Sequence, residues 1–433
     1  MRARSPLGIL FLTVFLDLLG FGLVIPFVTK FVEHYWLRDS PGSPYVDRIA
    51  TGLSASFSLA QLLAAPLWGA LSDRVGRRPV LLATIPLMAF SYLLFGLAAD
   101  ERVNAAVFGT GPGSGHAVVA ALFVSRVLSG LFAANISTAF AYVADVTTPE
   151  NRSRGLGAIG AAFGLGFVVG PALGGFLFAH FGRGAPGFAA AGLGIVNTVW
   201  AAMRLPESLP PERRGRAPKA HVAERLVQSL REPVLGRLLV LSFVVTFAFA
   251  HMEQSLALYL GDRADRGGRA WLEDKIGYFY AFIGVVIAFT QGWLLRKLAR
   301  RHPERSLVLA GWACLGMGLV GLGIFGRSAW PLAALGVAGA FVALGNGLSN
   351  PSLNSLISRS APETAQGGVF GTTQAVGSLA RFAGPISAGW VSDFFGRAVP
   401  MYVAAAGTTV AFALLAGPWG QVRTSEAPAP GEP

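Results

Sequence analysis

The feature that most narrows what this chain can fold into is a recurrence of apolar runs, each close to the length of a membrane crossing. A helix needs about 20 predominantly apolar residues to span the hydrocarbon of a bilayer. Runs of that kind stand near 7–28, 49–71, 79–99, 118–144, 155–180, 186–203, 234–260, 274–298, 305–326, 330–357, 366–391 and 397–417. Charged residues make up 13% of the chain, half the share of about 25% usual in soluble domains. A soluble protein has little use for so many apolar segments. The expected fold class is therefore an all-α polytopic membrane protein with twelve transmembrane helices. The first run has no small-residue cleavage site and reads as a retained span.

The formal net charge of +12 would suit nucleic acid, but its distribution does not. Segments on the N-terminal side of the membrane hold 22 of the 35 Lys and Arg, opposite segments hold 11, and Arg126 and Arg381 lie within spans. Cytoplasmic loops carry such an excess of basic residues, so both termini are expected in the cytoplasm, in the cell membrane or a bacterial inner membrane. No nucleic-acid partner follows. The single cysteine, Cys314, allows no intrachain disulfide, and the six histidines lack metal-ligand spacing, so neither metal nor cofactor is expected.

The polar stretch 204–232 divides the runs six and six. Its Pro-Pro and Arg cluster oppose helix at first, whereas 220–231 fits a short amphipathic helix on the membrane surface. This predicts an N-terminal bundle over 1–203, a cytoplasmic linker over 204–232, a C-terminal bundle over 233–418 and a disordered tail over 419–433. An internal repeat supports the division. Pro-Glu, Gly-Pro, Phe-Gly-Arg and Ala-Ala-Ala-Gly occur in that order within 149–192 and again within 362–407, offset by 213 to 215 residues. An even number of spans separates the copies, so both share one orientation and imply two pseudo-symmetric six-helix bundles with a pathway between them.

Between spans two and three stands "GALSDRVGRRP", residues 69–79. It resembles the cytoplasmic loop motif of the major facilitator superfamily, with Gly69, Asp73, Arg74, Gly76, Arg77 and Arg78 at the matching places. Gly69 is expected to let another helix approach, and Asp73 to accept from a neighbouring helix N-terminus. The likeness spans the chain and points to drug:proton antiporters, particularly tetracycline-type exporters. Asp17, Gly20, Gly22, Leu23 and Pro26 resemble that branch's first-helix pattern, and Arg126 its fourth-helix arginine. "GFVVGPALGG" resembles its fifth-helix motif. There Gly166, Gly170 and Gly174 present one smooth face beside Pro171. The second half has only an echo of the loop motif, "QGWLLRKLARR" at 291–301, without its aspartate. Span nine lacks an acid that some tetracycline exporters carry. "GTGPGSG" at 109–115 lacks a Lys-Ser/Thr ending and reads as a flexible loop.

Ionisable groups inside spans are costly and mark function by default. Asp17 sits near the middle of its span. It reads equally as one end of a fixed bridge to Arg126 or as a carboxylate that changes protonation when Arg126 moves. Glu253 lies nearer the outer side, two residues from His251 and on another helical face, for substrate binding or proton handling. Arg381 is suited to pair with Glu253 or to hold an anionic substrate group. Asn346, Asn350 and Asn354 form a polar stripe that, with Gln254, is expected to line a substrate path unless it only joins helices. No nucleophile–base–orienter set stands in the sequence, so an enzyme is not expected. The expected activity is proton-coupled export of a small amphipathic compound by alternating access. Proton-linked or facilitated uptake of a metabolite, lipid movement, and a non-transporting protein that kept the fold remain open. The expected partners are a small-molecule substrate, protons and membrane lipids, with the chain acting as a monomer.

Overall fold

A computed structural model describes residues 6–133, 136–215, 222–262, 273–326, 330–360 and 366–417. The tail expected to be disordered lies outside these residues. Twelve long helices alternate in direction: α1 Pro6–Val24, α2 Val46–Val75, α3 Arg77–Ala99, α4 Ser114–Ala133, α5 Pro149–Phe181, α6 Ala185–Arg204, α7 Pro233–Gly261, α8 Glu273–Phe289, α9 Glu304–Phe325, α10 Leu332–Arg359, α11 Gln366–Phe395 and α12 Val399–Ala416. Eleven of the spans are long and apolar enough to cross a membrane by hydropathy, and α11, which carries Arg381 at mid-length, completes the set.

Three of these helices continue past the bounds just given. After one 3-10 turn at Ile25–Phe27, α1 continues as Val28–Asp39, because Pro26 stands in the first turn, where no amide donor is required. Helix α4 continues as Ile136–Val146. Helix α8 widens into a π-turn at Thr290–Leu294 and then resumes over Leu295–Leu298. A short helix, Glu101–Phe108, was not legible in the sequence. It is capped by Asp100, whose side chain accepts from the Arg102 and Val103 amides. In the linker, Val222–Arg231 is helical.

Each half has its own dry interior. Phe31, Tyr35, Phe95 and Leu122 are among the buried residues of the N half, and Leu319, Leu322 and Val342 among those of the C half. Large apolar side chains such as Leu67, Met203 and Val285 stand outward, as lipid-facing residues do. The repeat landmark Phe-Gly-Arg has the same local role in both halves. It ends α5 and α11 at Gly182 (φ +89°) and Gly396 (φ +92°), whose amides donate back to Phe178 and Ser392. That left-handed cap is the place where glycine is favoured. It leaves Arg183 and Arg397 in the turns that follow α5 and α11, at the end of the bundle opposite the loop motif.

Candidate functional site

The loop motif is fastened to its own half. Gly76 turns the chain at φ +109°, and a Cβ there would overlap the Glu207 carboxylate. Glu207 Oε1 caps α3 by accepting from the Arg77 amide at 2.9 Å, and from the Ser208 and Leu209 amides at 2.9 and 3.0 Å. Arg77 reaches Asp73 at 2.5 Å and Asp145 at 3.1 Å, and Arg78 donates to the carbonyls of Leu205 and Ala202. Among the described residues, no atom lies within 4 Å of where a Gly69 Cβ would be, so no described helix makes the close approach expected there. Asp73 likewise bonds a side chain within its own loop instead of a neighbouring helix terminus. These contacts of Arg77 and Arg78 are all made within the N half. Neither Glu207 nor Asp145 stands in the motif. Glu207→Ala should lower thermal stability in detergent by about 1–2 kcal/mol through the lost cap, with Glu207→Asp intermediate; an unchanged melting curve would remove Glu207 from this role.

Inside the N half, Asp17 Oδ1 accepts from Asn197 Nδ2 at 2.9 Å, a partner on α6 absent from the sequence reading. Arg126 is 1% exposed, and all three of its guanidinium nitrogens lack a hydrogen-bond partner. A fixed hydrogen-bonded bridge between Asp17 and Arg126 is therefore not present. Arg126 lies over the rings of Phe57 and Phe21, at 4.5 and 5.7 Å from their centroids. The Tyr92 hydroxyl, buried and also unpartnered, senses the charges of both Arg126 and Asp17. The aromatic faces offset part of the cost of burying the cation. An uncompensated buried charge still costs several kcal/mol.

A close crossing of α1 and α5 lies beside this cluster. A Cβ on Gly166 would stand 2.7 Å from Leu18 Cβ, and one on Gly170 2.5 Å from Gly22 Cα. Gly174 would meet the Leu23 carbonyl even more closely. The two backbones touch, which holds Asp17 against the bundle interior. Pro171 lies within α5 at the same crossing.

In the C half, Glu253 senses the charge of Arg381. Arg381 is half-buried and donates to Ser378 Oγ at a long 3.3 Å. His251 turns away toward α11, its Nδ1 lying 3.1 Å from the Gly384 carbonyl and 3.0 Å from Ser387 Oγ. Gln254 is buried between the halves, where its Oε1 accepts from Ser54 Oγ of α2 at 2.5 Å. Asn346 and Asn354 are half-buried and Asn350 exposed; Asn354 Nδ2 donates to Asn350 Oδ1 at 3.2 Å, a bond along α10 instead of across helices. Gly318 lies against the backbone of Val342 and Gly345 against that of Leu315, so α9 and α10 are in close contact.

At the face opposite the loop motif, charges join the halves. Arg397, in the turn between α11 and α12, contacts Asp47 of α2 at 2.7 Å, Glu33 beyond α1 at 2.9 Å and Asp262 after α7 at 2.7 Å. Burial works against its charge, yet the hydrogen bonds and charges of these carboxylates hold the guanidinium above its ordinary value. Beside it Arg48 reaches Asp393 at 2.5 Å and lies 4.0 Å from the ring of Trp390. Among the described residues, every ion pair between the halves lies on this face. The sequence reading missed all of them. The one available signal was the repeated Phe-Gly-Arg, whose other copy places Arg183 on Glu101.

Residues 10–385 match the family model described as Major Facilitator Superfamily. The class C tetracycline resistance protein of Escherichia coli is 31% identical over 388 residues, covering 89% of each chain. The crystal structure of the human organic anion transporter MFSD10 (TETRAN) superposes with a TM-score of 0.69 at 28% identity, covering 96% of this chain and 100% of that one. The xylose transporter XylE from E. coli, in a partially occluded inward-open conformation, has a TM-score of 0.67 at 14% identity, a likeness of fold alone.

Proposed function

The chain belongs to the major facilitator superfamily, whose members are transporters and not enzymes, and from that premise we propose that it exports a small amphipathic compound in exchange for protons by alternating access. The termini and the loop motif face the cytoplasm in this reading, as the basic bias of those segments supports. The conformation described is then closed outward by Arg397 and Arg48. The relatives named for tetracycline and multidrug resistance support the substrate class.

The observation that carries the coupling is the unpartnered Arg126 beside an Asp17 held by Asn197. A buried cation without a partner is costly to hold in one state, so Arg126 and Asp17 are disposed to meet in another. When they meet, the arginine favours the charged carboxylate and releases its proton; when they part, burial favours the protonated form. Glu253, which senses the charge of Arg381, is the second carrier. Vesicle transport across a series of imposed pH gradients tests this. Asp17→Asn is expected to abolish proton-driven accumulation while leaving substrate exchange, and Glu253→Gln to reduce it. Unchanged gradient dependence in both variants would remove these acids as carriers.

A second reading concerns the substrate's charge. Arg381 has one weak hydrogen bond, and Arg126 has none. Both favour an organic anion, the class named for the human relative. A preference for neutral or cationic analogues, unaltered by Arg381→Gln, would count against it.

A further inference from the structure

The echo of the loop motif in the C half has a different chemistry from its parent. Gly69–Arg78 aligns with Gly292–Arg301 at a constant offset of 223, matching Gly69, Leu71, Arg77 and Arg78 with Gly292, Leu294, Arg300 and Arg301. The place of Asp73 is taken by Arg296, and that of the turning Gly76 by Ala299. In the N half, Arg77 is neutralised by Asp73 and Asp145, and Arg78 is consumed by carbonyls. In the C half, Arg296, Lys297, Arg300 and Arg301 all stand exposed, with no ion pair to any described residue. The nearest acid in sequence, Glu304, is engaged by Arg359 at 2.9 Å and by Ser355.

The backbone gathers these cations under lipid-facing rings. The π-turn at Thr290–Leu294 shifts the register of α8, the kind of bulge that is common at functional sites. Trp293, 53% exposed, stacks on Phe289 with centroids 5.1 Å apart, and Lys297 Nζ stands 5.2 Å from the Trp293 ring. Gly292, Trp293, Arg296, Lys297, Arg300 and Arg301 together line one concavity. Tryptophan marks the level of the headgroups, and the basic groups beyond it meet the phosphates. We infer that the turn between α8 and α9 is a binding site for an anionic phospholipid, with its acyl chains along Phe289 and Trp293 and its phosphate among the four cations. The inference is independent of substrate and coupling.

The test uses the full-length protein in phosphatidylcholine vesicles containing brominated phosphatidylglycerol or brominated phosphatidylcholine. The Trp293 contribution is the difference between the native protein and Trp293→Phe. Phosphatidylglycerol is expected to quench that contribution at an about fivefold lower mole fraction than phosphatidylcholine. Changing Arg296, Lys297, Arg300 and Arg301 together to Gln should bring the ratio to about one, whereas Arg231→Gln with Arg237→Gln should preserve it. Equal quenching by both lipids overturns the proposal. So does an equal loss in the control variant, or full competition by soluble glycerol phosphate. If the fourfold variant fails to insert, salt titration of the native protein replaces it: the ratio must fall as salt rises, and a salt-independent ratio overturns the site.

Discussion

Arg397→Gln is expected to open the face opposite the loop motif. Asp47 is only 5% exposed at its side chain, so the substitution leaves a buried carboxylate without its bidentate partner. Removing one member of a buried pair costs about 3–5 kcal/mol, enough to lower the closed population about 100-fold or more. Asp262 is 55% exposed and contributes little of this. The measurement is labelling of a single cysteine by a membrane-impermeant thiol reagent, in a Cys314→Ser background with Thr51→Cys. Thr51 suits the purpose because its hydroxyl packs where a Gly389 Cβ would stand, between the halves. Labelling should accelerate strongly with Arg397→Gln, more so when Arg48→Gln removes the second clasp, and weakly with Arg397→Lys, which keeps charge but not the fork. Labelling at the native rate in the double variant would show that the ion pairs do not hold the face shut.

Gly170→Ala should be among the more damaging single-methyl changes in the chain. The added carbon would meet the backbone of Gly22 at 2.5 Å, and a backbone cannot rotate away as a side chain can. Overpacking of this kind costs about 1–3 kcal/mol where neighbours can adjust, so the upper end or more is expected here. The shift also separates α1 from α5, which carries Asp17 away from Asn197 and Arg126. Both melting temperature and proton-driven transport should fall. Gly160→Ala, in the same helix with nothing within 4 Å, is the matched control and should be near neutral. Equal behaviour of the two variants would mean that α1 and α5 do not touch as described.

The contrast between these two positions shows where reading residues one at a time reaches its limit. The spacing of Gly166, Gly170 and Gly174 already marked a smooth face, because helical periodicity is local and visible in the chain. Which helix would lie on that face was not. Arg126 was recognisable as an arginine where lipid or a dry core was expected, yet its aromatic surroundings come from Phe21 on α1 and Phe57 on α2. Glu207, just past the sixth span, looked like linker and proved to cap α3. Arg397 looked like a loop charge and joins four segments of both halves.

By itself the sequence determined the membrane crossings and their division into two similar bundles, because each depends on transfer of a segment between water and lipid and needs no partner. Only the tertiary structure decided which charges meet, since a guanidinium reaches a carboxylate over a few ångströms whatever the distance along the chain. It left Asp17 and Arg126 unbridged and brought Asp47 to Arg397, an assignment that bilayer hydropathy has no means to make.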